Sequence, residues 1–168
     1  MPGVEWFMDF RKITARDDQP IADLIRSNLI KYGLDIPGTA FFDKGLDHLS
    51  EYYNEPRRAY YVLTENNTVI GGVGYAAFDG FDACCELQKL YLRDDHKGQR
   101  IGYQMMHFLE EKAEEAGYRR IYLETHTNLK AAIHLYEKCG YREIERPETV
   151  VHSTMNKFFL KEMQRGMR

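Results

Sequence analysis

Three observations predict an α/β (α+β) fold of about seven strands flanked by about four helices. Stretches of period two and stretches of helical period alternate along the chain in the order β-α-α-β-β-β-α-β-α-β-β. Gly33, Gly117 and Gly140 follow the helical stretches, where glycine takes the left-handed turn that ends a helix. Between Glu86 and Ala116 the chain reads as a strand, a basic glycine-bearing turn and a helix. That arrangement traps phosphate, because free N–H groups and the positive end of the helix dipole face the anion.

In order, Phe7 to Ile13 is expected as the first strand. Asp17-Asp18 and Pro20 open a helix, in which Ile21, Leu24, Ile25, Asn28, Leu29 and Tyr32 keep helical spacing. Residues 35–44 form a loop with Pro37, Gly38, Phe41 and Phe42, and a short helix is expected from Leu46 to Tyr53. Tyr60 to Leu63 is a strand, Glu65-Asn66-Asn67-Thr68 a hairpin turn, and Val69 to Phe78 a return strand expected to be loosened by Gly71, Gly72 and Gly74. Residues 79–82 turn again into a central strand from Cys84 to Leu92. Ile101, Met105, Phe108, Leu109, Ala113 and Ala116 line one face of the following helix. Arg120 to Thr125 is a strand. Thr127 or Asn128 is expected to cap a helix whose inner face is Leu129, Ala132, Ile133 and Tyr136. Tyr141 to Ile144 and Asn156 to Leu160 complete the strands.

The 168 residues suit one domain, residues 1–168, with a sizeable core. A net charge of −3 calls for no polyanionic partner, so nucleic acid is not expected. No run of 18 apolar residues and no basic, then apolar, leader is present, so no membrane partner is expected and the cytoplasm is the default location. Three cysteines do not make a disulfide framework, and the six histidines show no H-E-x-x-H spacing, so no metal is expected.

The turn Lys97-Gly98-Gln99-Arg100-Ile101-Gly102 is neither a P-loop nor a dinucleotide fingerprint. It resembles the acetyl-CoA loop [QR]-x-x-G-x-[GA] of the GNAT superfamily of N-acetyltransferases. Two departures stand out: Lys97 replaces Gln or Arg, and Arg100 replaces the first glycine of the pattern. If that position needs a positive φ, Arg100 costs about 1 kcal/mol; it also offers a charged donor to phosphate. Two further blocks carry the resemblance. Glu86 to Leu92 is similar to the family's fourth strand. Asn128 to Tyr141, with Ala131-Ala132-Ile133, Leu135-Tyr136-Glu137-Lys138 and Gly140-Tyr141, is similar to its N-x-x-A-x-x-L-Y-x-x-x-G-[FY] signature.

The resemblance implies a mixed, mostly antiparallel, twisted sheet in which strands four and five splay apart around the pantetheine arm of acetyl-CoA, the cosubstrate. It implies that the backbone of Leu90, Tyr91 and Leu92 pairs with that arm and that the Leu90 N–H faces the thioester carbonyl. Lys97, Gly98, Gln99, Arg100, Ile101, Gly102 and Tyr103 would cradle the pyrophosphate, and Asn128 would bond the arm. Tyr136 is the candidate general acid for the departing sulfur, since a phenol still holds its proton at neutral pH, although its place on an apolar helix face also suits a core residue. Glu86 is the candidate base, with Glu124 and then His126 as alternatives. The acceptor pocket would be walled by residues 32–42, Tyr53 and residues 146–154. The reaction expected is direct transfer of acetyl in a ternary complex to a primary amine of a small molecule. Acetylation of a protein N-terminus or lysine, or acyl-CoA sensing without catalysis, are the alternatives, and a homodimer is the oligomer that the family allows.

Overall fold

The computed structural model describes residues 8–96, 100–151 and 153–164. Seven strands form one sheet in the order β1-β2-β3-β4-β5-β7-β6. They are β1 (Met8–Lys12), β2 (Arg58–Glu65), β3 (Thr68–Ala77), β4 (Cys84–Leu92), β5 (Arg120–Thr125), β6 (Arg142–Ile144) and β7 (Lys157–Glu162). Every neighbouring pair is antiparallel except β4 and β5, which are parallel. The helices are α1 (Asp18–Lys31), α2 (Leu49–Tyr52), α3 (Ile101–Glu115) and α4 (Lys130–Lys138).

Side chains alternate across the sheet, so each strand feeds two cores. Leu63, Val73, Leu87, Ile121 and Leu123 pack with Ile101, Met105 and Leu109 of α3 and with Tyr136 of α4. Tyr60 and Val62 pack on the other face with Ile21, Ile25 and Leu29 of α1 and Leu49 of α2. A smaller cluster of Cys84, Tyr122, Phe158 and Leu160 lies under Phe78 and Phe81. No helix among the described residues is long and apolar enough to cross a membrane.

Several expected details differ. The chain enters α1 through the buried Asp17, whose carboxylate accepts from the Thr14 N–H at 2.8 Å and the Arg11 guanidinium at 2.7 Å. Pro20 therefore sits in the first turn rather than at its opening. The helix expected from Leu46 to Tyr53 is a 3-10 turn, Leu46–His48, followed by the single turn α2. Neither Thr127 nor Asn128 caps α4; its N-cap is Leu129, which has no side-chain cap. Asn66 and Asn67 do take positive φ (50° and 68°) in the β2–β3 turn.

The glycines of β3 do not loosen it. A Cβ on Gly72 or Gly74 would overlap the ring of Tyr60. Bare backbone at these two positions lets the fully buried Tyr60 lie across β3 and reach β4.

β4 breaks its own pairing. Gly72 pairs with Tyr91 and Gly74 with Gln88, so Lys89 and Leu90 stand opposite Val73 alone, and Lys89 has φ 52°. This is a β-bulge. On its other edge β4 pairs with β5 only at Cys84, Cys85 and Glu86, although it runs on to Leu92. The two strands separate beyond Glu86 and Tyr122 and leave a cleft between them.

Candidate active site

The cleft has a volume of about 580 Å³. Glu86 to Leu92 form one wall; Glu124 and Thr125 of β5, with Leu135 and Tyr136 of α4, form the other. The start of α3 closes one end through Arg100, Gly102 and Tyr103. The other end is bounded by Tyr32, Leu34, Gly38, Thr39, Ser153 and Met155. Beyond Glu86 the edge of β4 that faces β5 has no strand partner, so it can pair with an extended chain laid in the cleft. A pantetheine arm carries amides suited to that edge.

At the α3 end, Arg100 is the N-cap residue and has φ 63°, ψ 8°, with no side-chain cap bond. The position the resemblance gives to glycine is thus left-handed, and the arginine is exposed beside the cleft. Gly102 serves a different contact: a Cβ there would lie 3.1 Å from Leu135 Cδ2, so it lets α3 approach α4. Ile101 is buried under the sheet and its side chain does not line the cleft. Lys97, Gly98 and Gln99 lie outside the described residues.

Glu86 sits at the fork of the two strands. Its Oε1 accepts from Gln88 Nε2 at 2.9 Å. Burial raises its pKa above the ordinary carboxylate value; the Gln88 bond and Lys89 oppose that shift, and the charge of Glu124 adds to it. Across the fork, Glu124 is held by two hydroxyls, Tyr122 Oη at 2.8 Å and Ser153 Oγ at 2.8 Å. Both carboxylates line the cleft. Lys89 is paired with Asp43 at 3.4 Å.

Tyr136 is 5% exposed, and burial pushes its phenol pKa upward, with the neighbouring Tyr91 adding to the shift. Its ring packs on Tyr141 and Phe159. Its hydroxyl makes no hydrogen bond among the described residues, which leaves its proton available toward the cleft. The same side chain also lines the cleft.

Four sequence-expected residues stand elsewhere. His126 accepts the Asn128 N–H through Nδ1 at 3.0 Å and is not part of the cleft lining. Asn128 turns its amide to the Tyr32 carbonyl at 3.0 Å, tying the start of α4 to the end of α1. Counted back from Leu135-Tyr136, the signature's Asn falls on Leu129, which does line the cleft; Asn128 stands one residue ahead of it. Phe41 and Phe42 stack edge-on with each other, Phe42 is 57% exposed, and neither lines the cleft. The early loop reaches the site through Leu34, Gly38 and Thr39 instead. Of the expected acceptor walls, Ser153 lines the cleft and Tyr53 does not. Sequence reasoning missed Gln88 and the bulge at Lys89; Gln88 was visible two residues from Glu86 on the same strand face, and the bulge depends on distant contacts.

Known proteins give the same assignment. Residues 27–141 match the model of the Acetyltransferase (GNAT) family. The chain is 37% identical over 137 residues to the uncharacterized N-acetyltransferase YjgM of Escherichia coli, covering 80% of this chain and 82% of that protein. Its fold is similar to that of a GNAT-family acetyltransferase from Staphylococcus aureus (TM-score 0.82, 16% identity, 94% of this chain and all of that one). It is also similar to yncA from Salmonella typhimurium, solved with acetyl-CoA (TM-score 0.72, 18% identity, 96% of each chain). A third such fold is the spermidine N-acetyltransferase of Vibrio cholerae, solved with CoA and spermine (TM-score 0.70, 20% identity, 93% and 95%). The chain therefore belongs to the GNAT family of acetyl-CoA-dependent N-acetyltransferases.

Proposed function

We propose that the protein transfers the acetyl group of acetyl-CoA to a primary amine of a small molecule, directly and within a ternary complex. The observation that carries this reading is the convergence of Glu86 and Tyr136 on one cleft, opened where β4 and β5 separate. Bound acetyl-CoA supplies the thioester. The backbone of Leu90, Tyr91 and Leu92 holds the extended arm, with the Leu90 N–H as donor to the carbonyl oxygen, where one such donor is worth roughly 10²–10³ in rate. Arg100, Gly102 and Tyr103, with the N-terminus of α3, receive the phosphates.

Glu86 takes a proton from the incoming ammonium. The amine nitrogen forms its bond to the acetyl carbon as the carbon–sulfur bond breaks. Tyr136 donates its proton to the departing thiolate, the second proton of the nitrogen passes to the Tyr136 phenolate as the amide forms, and Glu86 releases its proton to solvent, which restores both groups. A raised pKa suits each group: Glu86 becomes a better base than a solvated carboxylate, and Tyr136 stays protonated until sulfur needs the proton.

The far end of the cleft favours a small acceptor over a peptide. Thr154 Oγ1 donates to the Pro37 carbonyl at 3.1 Å, joining the connection before β7 to the loop after α1. A peptide substrate needs an open groove there. Isothermal titration with acetyl-CoA, followed by thiol release with a panel of amino acids, diamines and amino sugars, tests the reading. Micromolar binding, about −8 kcal/mol, and turnover of one amine class support it. Binding without turnover of any amine favours a sensor, and loss of binding overturns the reading.

A further inference from the structure

The hydrogen bonds at Glu86 continue away from the cleft. Glu86 and Gln88 are two residues apart on β4, ahead of the bulge, and so share a face. Gln88 Nε2 donates to Glu86 Oε1 at 2.9 Å, and Gln88 Oε1 accepts from Tyr53 Oη at 2.7 Å. Tyr53 follows α2, is 6% exposed, and is held between Tyr52 and Tyr60, with ring centroids at 4.8 and 5.2 Å. The chain of contacts has a direction. An ionised Glu86 cannot donate, so the amide must turn Nε2 toward it, and Oε1 then takes the tyrosine proton.

We propose that Gln88 and Tyr53 are positioning residues for the proton-accepting carboxylate: Gln88 holds Oε1 of Glu86 and leaves Oε2 for the ammonium of the acceptor, and Tyr53 locks the amide in the orientation that does so. The proposal rests on the reading of Glu86 as base. Neither residue needs to touch the acceptor. The Gln88 bond stabilises the anion and limits how far burial and Glu124 raise its pKa. Among the described residues, the charged or titratable groups around the site include Glu124 and Tyr122 of β5, with Arg146 beside Tyr122, the Tyr53 hydroxyl, the Cys84 and Cys85 thiols, and Lys89 of β4, which is paired with Asp43.

The test needs no acceptor. In the free protein labelled with ¹³C-glutamate, the Glu86 carboxyl signal, assigned by its loss in Glu86→Gln, is followed against pH. Gln88→Met, which keeps the length of the side chain and removes both polar atoms, is expected to raise the midpoint by about one unit. Tyr53→Phe, which removes a single oxygen, is expected to raise it by less. Acetyl-CoA affinity is expected to stay at the wild-type value in Tyr53→Phe, whose side chain does not line the cleft, and for any amine that turns over, the acid limb of kcat/KM is expected to move with the midpoint. A midpoint that stays in place or falls in Gln88→Met overturns the proposal, and if that variant does not fold, an unmoved midpoint in Tyr53→Phe does so. An acid limb that survives Glu86→Gln overturns the base assignment itself, a result distinct from an unmoved midpoint.

Discussion

The hydroxyl of Tyr60 donates to the Lys89 carbonyl at 2.7 Å, reaching from β2 across β3 to the bulge of β4. The contact passes over Gly72 and Gly74, where no side chain stands in the way. It links the buried core under α1 and α2 to the one stretch of β4 whose backbone leaves the ladder. The bulge is thus a supported conformation.

Removing that support should affect binding as well as stability. Tyr60→Phe is expected to lose about 1 kcal/mol of folding stability, the worth of one hydrogen bond, and to weaken acetyl-CoA binding in addition. Gly72→Ala should cost about 1–3 kcal/mol by overpacking against the ring. Denaturant unfolding and titration calorimetry on the two variants check both.

Glu86→Gln should separate activity from stability. The folded-state pKa of Glu86 lies above its unfolded value, so its contribution to stability is present at low pH and is lost as pH rises through the folded pKa. Above that pKa the ionised, half-buried carboxylate therefore costs stability. The neutral amide is expected to raise the unfolding free energy at pH 7, with the gain shrinking toward pH 4, while turnover falls about 10²–10⁴-fold. Tyr136→Phe should also lose turnover, yet leave stability close to wild type, because the hydroxyl makes no hydrogen bond among the described residues. Unfolding curves at several pH values and steady-state rates provide the comparison.

Arg100 holds a left-handed conformation that glycine adopts without strain. Arg100→Gly is expected to raise folding stability by up to about 1 kcal/mol. It removes a charged donor beside the cleft, so acetyl-CoA should bind about tenfold more weakly, with a shallower dependence on salt. Calorimetry at two ionic strengths distinguishes this from simple relief of strain, which would tighten binding.

His96 has carboxylates on both ring nitrogens: Glu65 at 2.9 Å from Nε2 and Asp95 at 2.7 Å from Nδ1. Both contacts are satisfied together only by the protonated ring, which carries two N–H donors. Its pKa is raised: burial works against the charge, and the bonds to Glu65 and Asp95 outweigh it. The stability it contributes is full below the ordinary histidine value and is lost as pH rises through the raised pKa. His96→Gln should be destabilised at pH 6 and approach wild type at alkaline pH. Thermal unfolding across that window checks the sign.

The sequence by itself determined the elements and their kinds. Helical and two-residue periods are local properties, and β4, β5, the start of α3 and the Asn66-Asn67 turn all fall where those patterns and turn residues place them. It also determined the family, because the basic, glycine-bearing stretch from Lys97 to Gly102 and the block around Leu135-Tyr136 are short and contiguous. What the tertiary structure decided depends on residues far apart in the chain. Lys89 lies in an alternating run that reads as a regular strand, and only the Tyr60 hydroxyl, 29 residues away, marks it as a bulge. Tyr53 meets Gln88 across 35 residues, and Thr154 meets Pro37 across 117. Phe41 and Phe42 have the composition of a pocket wall, yet the loop turns them onto α1 and toward solvent. Periodicity records which face of an element is apolar; it does not record which polar atom on another element completes a hydrogen bond, and in this protein those completions shape the cleft.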